Sequence, residues 1–216
     1  MDQRKHLVHH SYDTIAAKWA QEREAMEDPR EREWLSRFRA SLVGRRVLEL
    51  GCGGGVVLRQ LAAQGLQAVG VDFSRVQLER ARVMCPSAAL VQADLTEVEF
   101  AFDSMDGVVI YDSLWHVPRE EHGAVFERTR RWSRVGAPLL VTVGVLSDEE
   151  ERELNATGER QFNHFRRAAH ALCGEPMFYS AWTKEMTLTL LCKAGYDVVG
   201  ADETPGRALL LLARAS

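Results

Sequence analysis

The residues of this sequence best suited to hold a nucleotide lie in a glycine-rich turn. Glycines stand at every second position, 51, 53 and 55, just after a short apolar run that contains an acid. Glycine adopts positive φ angles at little cost, and without a Cβ its backbone N–H group can approach a ligand closely. A helix that begins directly after such a turn adds a partial positive charge. The predicted binding residues here are Glu49, Gly51, Cys52, Gly53 and Gly55.

A second acid follows the next apolar run, at Asp72. In a βαβ nucleotide-binding fold, an acid at the end of this strand binds the ribose hydroxyls. We therefore predict that Asp72 and its neighbour Phe73 contact the nucleotide. An ordinary acid in a solvated turn fits this placement less well.

The spacing of the glycines separates two kinds of nucleotide. A dinucleotide-binding turn reads G-x-G-x-x-G, and here Val56 stands where its third glycine belongs. With Glu49 the pattern becomes E-x-G-x-G-x-G, which resembles the first motif of class I S-adenosylmethionine-dependent methyltransferases. The resemblance extends over roughly residues 45–213 and implies S-adenosylmethionine as the methyl donor. An NAD-dependent oxidoreductase is the less favoured alternative.

The resemblance also implies further contacts with the donor. An acid matching Asp94 accepts a hydrogen bond from the adenine amino group, and the Leu95 backbone amide contacts the ring. Asp94 is equally well placed to cap a following turn, and the two roles are compatible. Tyr111 is expected to offer its backbone carbonyl to the methionine ammonium. Tyr12 and Trp19 are candidates to close over the donor, Tyr12 through its hydroxyl to the methionine carboxylate, although packing of a helix face explains both equally well.

The loop after the fourth predicted strand carries the candidates for proton transfer. His116 is the first choice for a general base because its ordinary pKa lies near neutrality. The alternative is a structural, hydrogen-bonding His116. Asp112 is the second candidate, either contacting the methionine ammonium or orienting His116. Methyl transfer from a sulfonium is an in-line displacement, in which positioning contributes about 7–11 kcal/mol and a base about 3–5.5 kcal/mol, so a base is optional.

The implied activity is methyl transfer to an O or N atom of a small-molecule acceptor. A non-catalytic protein that binds S-adenosylmethionine or S-adenosylhomocysteine is the alternative from another functional class. A nucleic-acid methyltransferase is disfavoured, because residues 111–114 read Tyr-Asp-Ser-Leu in place of D/N-P-P-Y/F. The net charge of −4 also provides no basic field for nucleic acid or for anionic membranes.

Length and composition are typical of one cytoplasmic enzyme domain. The 216 residues suffice for one core but not for two full domains. No hydrophobic signal or membrane-spanning run is evident, and the cysteines and histidines lack the spacing of a metal site. We expect a monomer or a homodimer.

Alternating strand and helix patterns predict the fold class. The expected fold is α/β and Rossmann-like, a doubly wound and mostly parallel sheet of seven strands with an antiparallel last strand and added N-terminal helices. The resemblance implies the strand order 3-2-1-4-5-7-6. Ser11 is expected to cap the first helix. The predicted parts are a helical cap at 1–44, a donor-binding half at 45–146, an acceptor-pocket insertion at 147–182 and a C-terminal helix and hairpin at 183–216.

Overall fold

The computed structural model describes residues 2–25, 29–157, 174–204 and 208–216. Within these ranges the sheet has eight strands. They are β1 (Arg46–Leu50), β2 (Gln67–Asp72), β3 (Ala89–Gln92), β4 (Gly107–Ile110), β5 (Pro138–Leu146), β6 (Trp182–Thr183), β7 (Tyr196–Glu203) and β8 (Ala208–Ala215). Seven of them follow the order β3-β2-β1-β4-β5-β8-β7, and β6 pairs with the end of β5.

The strand directions confirm the predicted fold. β1 to β5 are parallel, and β8 runs antiparallel to both β5 and β7. The C-terminal pair is therefore the predicted antiparallel hairpin, although part of its turn, 205–207, lies outside the described residues. The short β6, where Trp182 pairs with Val145, was not predicted. Two residues are too few to show the alternation that identifies a strand.

Helices cover both faces of the sheet. The α-helices are α1 (Gln3–Ala25), α2 (Pro29–Ala40), α3 (Val56–Ala63), α4 (Arg75–Met84), α5 (His122–Trp132), α6 (Asp148–Thr157) and α7 (Lys184–Lys193), with 3₁₀ turns at Leu114–His116 and Arg119–Glu121. Successive strand residues point to opposite faces. Thus Leu48 packs in the cluster that includes α5 and α7, while Val47 packs in the cluster that includes α2, α3 and α4.

The first helix is longer than predicted. α1 begins at Gln3, so Ser11 lies in its interior and is not an N-cap. The Ser11 hydroxyl instead donates a hydrogen bond to the backbone oxygen of Pro176, 2.6 Å away. The first turns of α1 are buried by tertiary contacts, with Lys5 and Val8 both largely inaccessible to solvent. Such contacts leave little trace in a polar sequence.

The predicted acceptor-pocket insertion, 147–182, is described only in part. α6 occupies its beginning, and residues 158–173 lie outside the described ranges. In the part of the chain that is described, none of the helices combines the length and the apolar character needed to cross a membrane.

Candidate functional site

A pocket lies at the carboxyl ends of β1, β2 and β4, and α1 covers it. In an open α/β sheet this edge is where ligands bind. Thirteen of the fourteen predicted site residues line it, namely Tyr12, Trp19, Glu49, Gly51, Cys52, Gly53, Asp72, Phe73, Asp94, Leu95, Tyr111, Asp112 and His116. Other residues that line the pocket were not predicted from the sequence, among them Lys5, Val8, Arg23 and Ser113.

The three predicted glycines of the turn, Gly51, Gly53 and Gly55, are each required for a different structural reason. Gly51, at φ 74°, is held close to Ser113, and a Cβ there would approach the Ser113 Cβ to 2.3 Å. Gly53, at φ 49°, faces open space, with no other atom within 4 Å of a Cβ placed on it. Gly55, at φ 86°, is the predicted residue that does not line the pocket; it packs against Ala81 of α4, which a Cβ at this position would approach to 3.0 Å. Of the three, Gly53 is therefore the glycine that leaves room for a ligand.

Asp72 connects the glycine turn to the end of β2. Its Oδ2 accepts from the Gly53 amide at 2.8 Å, and its Oδ1 accepts from the Ser74 amide at 2.9 Å. Burial raises the pKa of Asp72 to about 6, although these two amide hydrogen bonds favour the charged form. A carboxylate oxygen has more than one acceptor site, so both oxygens retain capacity for a ligand hydroxyl.

Glu49 is a buried acid without a full set of partners. The residue is only 2% exposed, and its Oε2 has no hydrogen-bond partner among the described residues. Burial raises the pKa of Glu49 well above its usual value, and the nearby Arg23 charge opposes that shift. Burial likewise raises the pKa of the neighbouring Cys52 thiol. An orphaned acid that lines a pocket is well suited to a ligand that brings a hydrogen-bond donor.

Asp94 is held by both local and long-range contacts. Its Oδ1 accepts from the backbone amide and the hydroxyl of Thr96, both at 2.8 Å, so the capping role is realised. Its Oδ2 lies 3.3 Å from Lys5 Nζ, which also donates to Thr96 and Glu121. Lys5 thereby ties the first turn of α1 to the rim of the pocket. No spacing in the sequence points to this lysine.

His116 is fully engaged in hydrogen bonds. Its Nδ1 lies 3.0 Å from the backbone oxygen of Phe178, which can only accept, so Nδ1 carries the proton. The lone pair on Nε2 then faces the Tyr12 hydroxyl at 2.9 Å and the Trp115 Nε1–H at 3.1 Å. Burial lowers the pKa of His116 to about 4, partly offset by the Phe178 carbonyl. The histidine is therefore neutral at physiological pH.

Asp112 does not orient His116, because other groups occupy both ring nitrogens of that histidine. Its Oδ1 accepts from the Thr142 hydroxyl at 3.1 Å. Asp112 has φ 53°, a left-handed conformation that is uncommon for residues other than glycine. This backbone conformation turns the chain sharply where β4 enters the pocket loop.

Comparison with known proteins supports the same family. The family described as a methyltransferase domain matches residues 47–136. The ubiquinone biosynthesis O-methyltransferase of Hahella chejuensis is 34% identical over 47% of this chain and 44% of its own length. The enzyme of that name from Pseudomonas aeruginosa is 25% identical over 80% of this chain and 74% of its own length.

Solved structures agree in fold. A crystal structure of a SAM-dependent methyltransferase from Methanosarcina mazei has a TM-score of 0.64 at 18% identity, and the superposition covers 82% of this chain and 95% of that one. Residues 47–136 therefore match the methyltransferase domain family, and the strand order described above agrees with the fold that the resemblance to class I S-adenosylmethionine-dependent methyltransferases predicted.

Proposed function

We propose that the pocket binds S-adenosylmethionine and that the protein transfers its methyl group to an oxygen of a small-molecule acceptor. The observation that carries this proposal is the open face of Gly53 beside two buried acids, Glu49 and Asp72. The glycine leaves room for the ligand, and each acid retains acceptor capacity for the hydroxyl and ammonium groups that this donor carries.

The donor is assigned to the pocket by matching its groups to the side chains. The ribose hydroxyls fit Asp72, and the adenine fits the segment of Asp94 and Leu95. The ammonium group fits the orphaned Oε2 of Glu49, with the Tyr111 carbonyl and Asp112 nearby on the β4 loop.

We assign the methionine carboxylate to Arg23 and not to Tyr12. Arg23 lines the pocket and brings a positive charge, although it also pairs with Glu31. The Tyr12 hydroxyl, in contrast, is directed at His116. A guanidinium has enough donors to serve both carboxylates.

Tyr12 and His116 form a pair suited to removing a proton from an acceptor. Because Nδ1 of His116 is protonated, the Tyr12 hydroxyl donates to Nε2, and both side chains line the pocket. An acceptor hydroxyl can pass its proton to the Tyr12 oxygen while the tyrosine proton moves to Nε2. Bound S-adenosylmethionine supplies an electrophilic methyl group on its sulfonium.

Positioning of the acceptor contributes more to the rate than this pair does. An imidazole whose pKa is about 4 is a weak base. A general base typically contributes about 10²- to 10⁴-fold, less than the proximity of correctly held reactants. The aromatic side chains around His116 provide walls for an acceptor, with Tyr12 at a ring-centroid distance of 5.3 Å and Tyr179 at 4.8 Å.

The choice of an oxygen acceptor rests on the relatives, whose names describe them as O-methyltransferases of ubiquinone biosynthesis. A nitrogen acceptor is the second candidate, because a neutral amine needs no base and the buried His116 is a poor one.

The test uses two measurements on the purified protein. Calorimetry measures binding of S-adenosylhomocysteine, and mass spectrometry detects transfer of an isotopically labelled methyl group to a panel of phenols, amines and metabolite extract. Binding with a labelled product supports the proposal and identifies the methylated atom. Binding without any product across the panel favours a non-catalytic donor-binding protein, and absence of binding rejects both.

A further inference from the structure

A second cleft adjoins the donor pocket on the side of α3 and α4. We call it the α3–α4 cleft and define it by Trp19 and Arg23 of α1, Val56 and Arg59 of α3, and Gln77 and Arg80 of α4. Trp19, Arg23 and Val56 also line the donor pocket, so the two cavities meet at these residues.

The buried side chain of Gln77 is the main observation that indicates a ligand in this cleft. The residue is only 1% exposed, and neither Oε1 nor Nε2 of its side chain has a hydrogen-bond partner in the described part of the chain. Nε of Arg80, one helical turn further along α4, is likewise buried without a partner there. Leaving a buried polar group unpaired costs about 1–3 kcal/mol, so these atoms call for a partner that both donates and accepts.

The start of α3 adds to the attraction for an anion. Its N-cap is Gly55, which provides no side-chain hydrogen bond to the first amides of the helix. The Leu58 amide in this first turn donates to Glu49, and the helix dipole favours negative charge at this end of α3. Arg59 and Arg80 bring positive charge to the same cleft, whereas Arg23 is already paired with Glu31. One acid, Glu79, also lines the cleft, but it is exposed and lies 3.4 Å from Arg75.

The Gln77 amide has one donor group and one acceptor atom, and this distinguishes among anions. A carboxylate or a sulfate can accept hydrogen bonds from Nε2 and from Arg80, but it has no proton to donate to Oε1. Inorganic phosphate and the protonated form of a phosphate monoester carry a P–OH group as well as acceptor oxygens. We propose that the α3–α4 cleft is a binding site for such a phosphate group, held by Gln77, Arg80, Arg59 and the amides at the start of α3. This site adjoins the donor pocket at the start of α3, and Gln77, Arg59 and Arg80 line the cleft but not that pocket.

The test measures binding of inorganic phosphate by calorimetry at constant ionic strength, with the donor pocket saturated by S-adenosylhomocysteine. Gln77→Leu keeps the size of the side chain and removes its polar atoms, and Arg80→Met keeps an apolar stem. Each is expected to weaken phosphate binding about tenfold or more. The matched control is Arg82→Met, an exposed arginine of the same helix that does not line the cleft, which is expected to bind phosphate as the parent does.

Further binding measurements distinguish the possible ligands. Sulfate should bind more weakly than phosphate, and competition by glycerol 3-phosphate at mildly acidic pH would identify a monoester rather than free phosphate as the ligand. Any one of four results overturns the proposal. Phosphate does not bind, or sulfate binds with equal affinity. Alternatively, saturation with S-adenosylhomocysteine abolishes phosphate binding, or both variants bind phosphate as the parent does. S-adenosylhomocysteine binding in Gln77→Leu should stay at the parent level, so this inference can fail while the proposed function stands. If Gln77→Leu does not fold, Arg80→Met provides the same comparison.

Discussion

The Tyr12 hydroxyl lies 2.9 Å from Nε2 of His116, and this contact joins the N-terminal helix to the loop after β4. Because Nδ1 of His116 donates to the Phe178 carbonyl, the tyrosine is the donor in the pair. Both side chains line the pocket, so the tyrosine hydroxyl can pass a proton to the histidine there.

Tyr12→Phe tests whether this oxygen takes part in proton transfer. We expect turnover to fall about 10²-fold or more, the contribution of a typical general base, while S-adenosylhomocysteine affinity changes little. Steady-state kinetics and calorimetry measure the two quantities. His122→Gln, a substitution at a buried histidine outside the donor pocket, is the control. Unchanged turnover in Tyr12→Phe with an oxygen acceptor would remove Tyr12 from the mechanism.

The pH dependence of turnover tests His116. Burial lowers the pKa of His116 to about 4, so the base form is present across neutral pH and is lost only as the pH falls towards that value. With His116 as base, kcat should stay level from about pH 8 to pH 6. In His116→Gln we expect a lower kcat at every pH in that range. A profile in the parent protein with a midpoint near the ordinary histidine pKa would identify another group as the base.

The pH dependence of donor affinity tests Asp72. Burial raises the pKa of Asp72 to about 6, so the free protein binds a proton there in mildly acidic solution. Ribose hydroxyls donate to the ionised form, and S-adenosylhomocysteine affinity should fall by up to about tenfold per pH unit below pH 6. Calorimetry from pH 5 to pH 8 measures this slope. Asp72→Asn, which does not titrate, should bind S-adenosylhomocysteine more weakly at neutral pH, and its affinity should change less with pH. If the affinity of both proteins changes equally with pH, the proton belongs to another group, such as Glu49.

His122 tests the effect of burial on stability. Its Nε2 lies 3.0 Å from the Val117 backbone oxygen, and burial lowers its pKa to about 4. A histidine with a depressed pKa stabilises the fold above its unfolded pKa, and this stabilisation is lost as the pH falls towards the folded pKa. Between pH 7 and pH 5 the parent should therefore lose about 2 kcal/mol of free energy of unfolding that His122→Gln does not lose. Urea titrations at both pH values give the difference, and a pH-independent difference would show that His122 is not buried as a neutral ring.

Two glycine substitutions distinguish the glycine that faces the ligand from the glycine that packs against α4. Gly55→Ala forces a left-handed conformation and crowds Ala81 at 3.0 Å, so it should lower the free energy of unfolding by about 2–4 kcal/mol. Gly53→Ala meets no protein atom and should cost only the backbone strain, about 1–2 kcal/mol, but its methyl group occupies the ligand side of the turn. S-adenosylhomocysteine affinity should fall more in Gly53→Ala than in Gly55→Ala. A larger loss of affinity in Gly55→Ala would contradict the assignment of Gly53 as the glycine that faces the donor.

The sequence determined the fold and the location of the pocket. The apolar runs of β1, β2 and β4 and the residues after them follow a short-range pattern, because strand period and turn chemistry depend on neighbours in the chain. Parallel strands bring their carboxyl ends to one edge of the sheet. Glu49, Asp72 and Asp112 consequently line one pocket, because they lie at the carboxyl ends of β1, β2 and β4, which are neighbours in the sheet.

Which groups act on one another inside that pocket depends on contacts between distant parts of the chain. Tyr12 and His116 are far apart in sequence, and their contact depends on the path of α1 across the sheet edge. Lys5 beside Asp94 and the unpaired amide of Gln77, among the described residues, have the same origin. The energies of these contacts depend on burial and on the position of a distant partner, and periodicity within a helix carries neither kind of information.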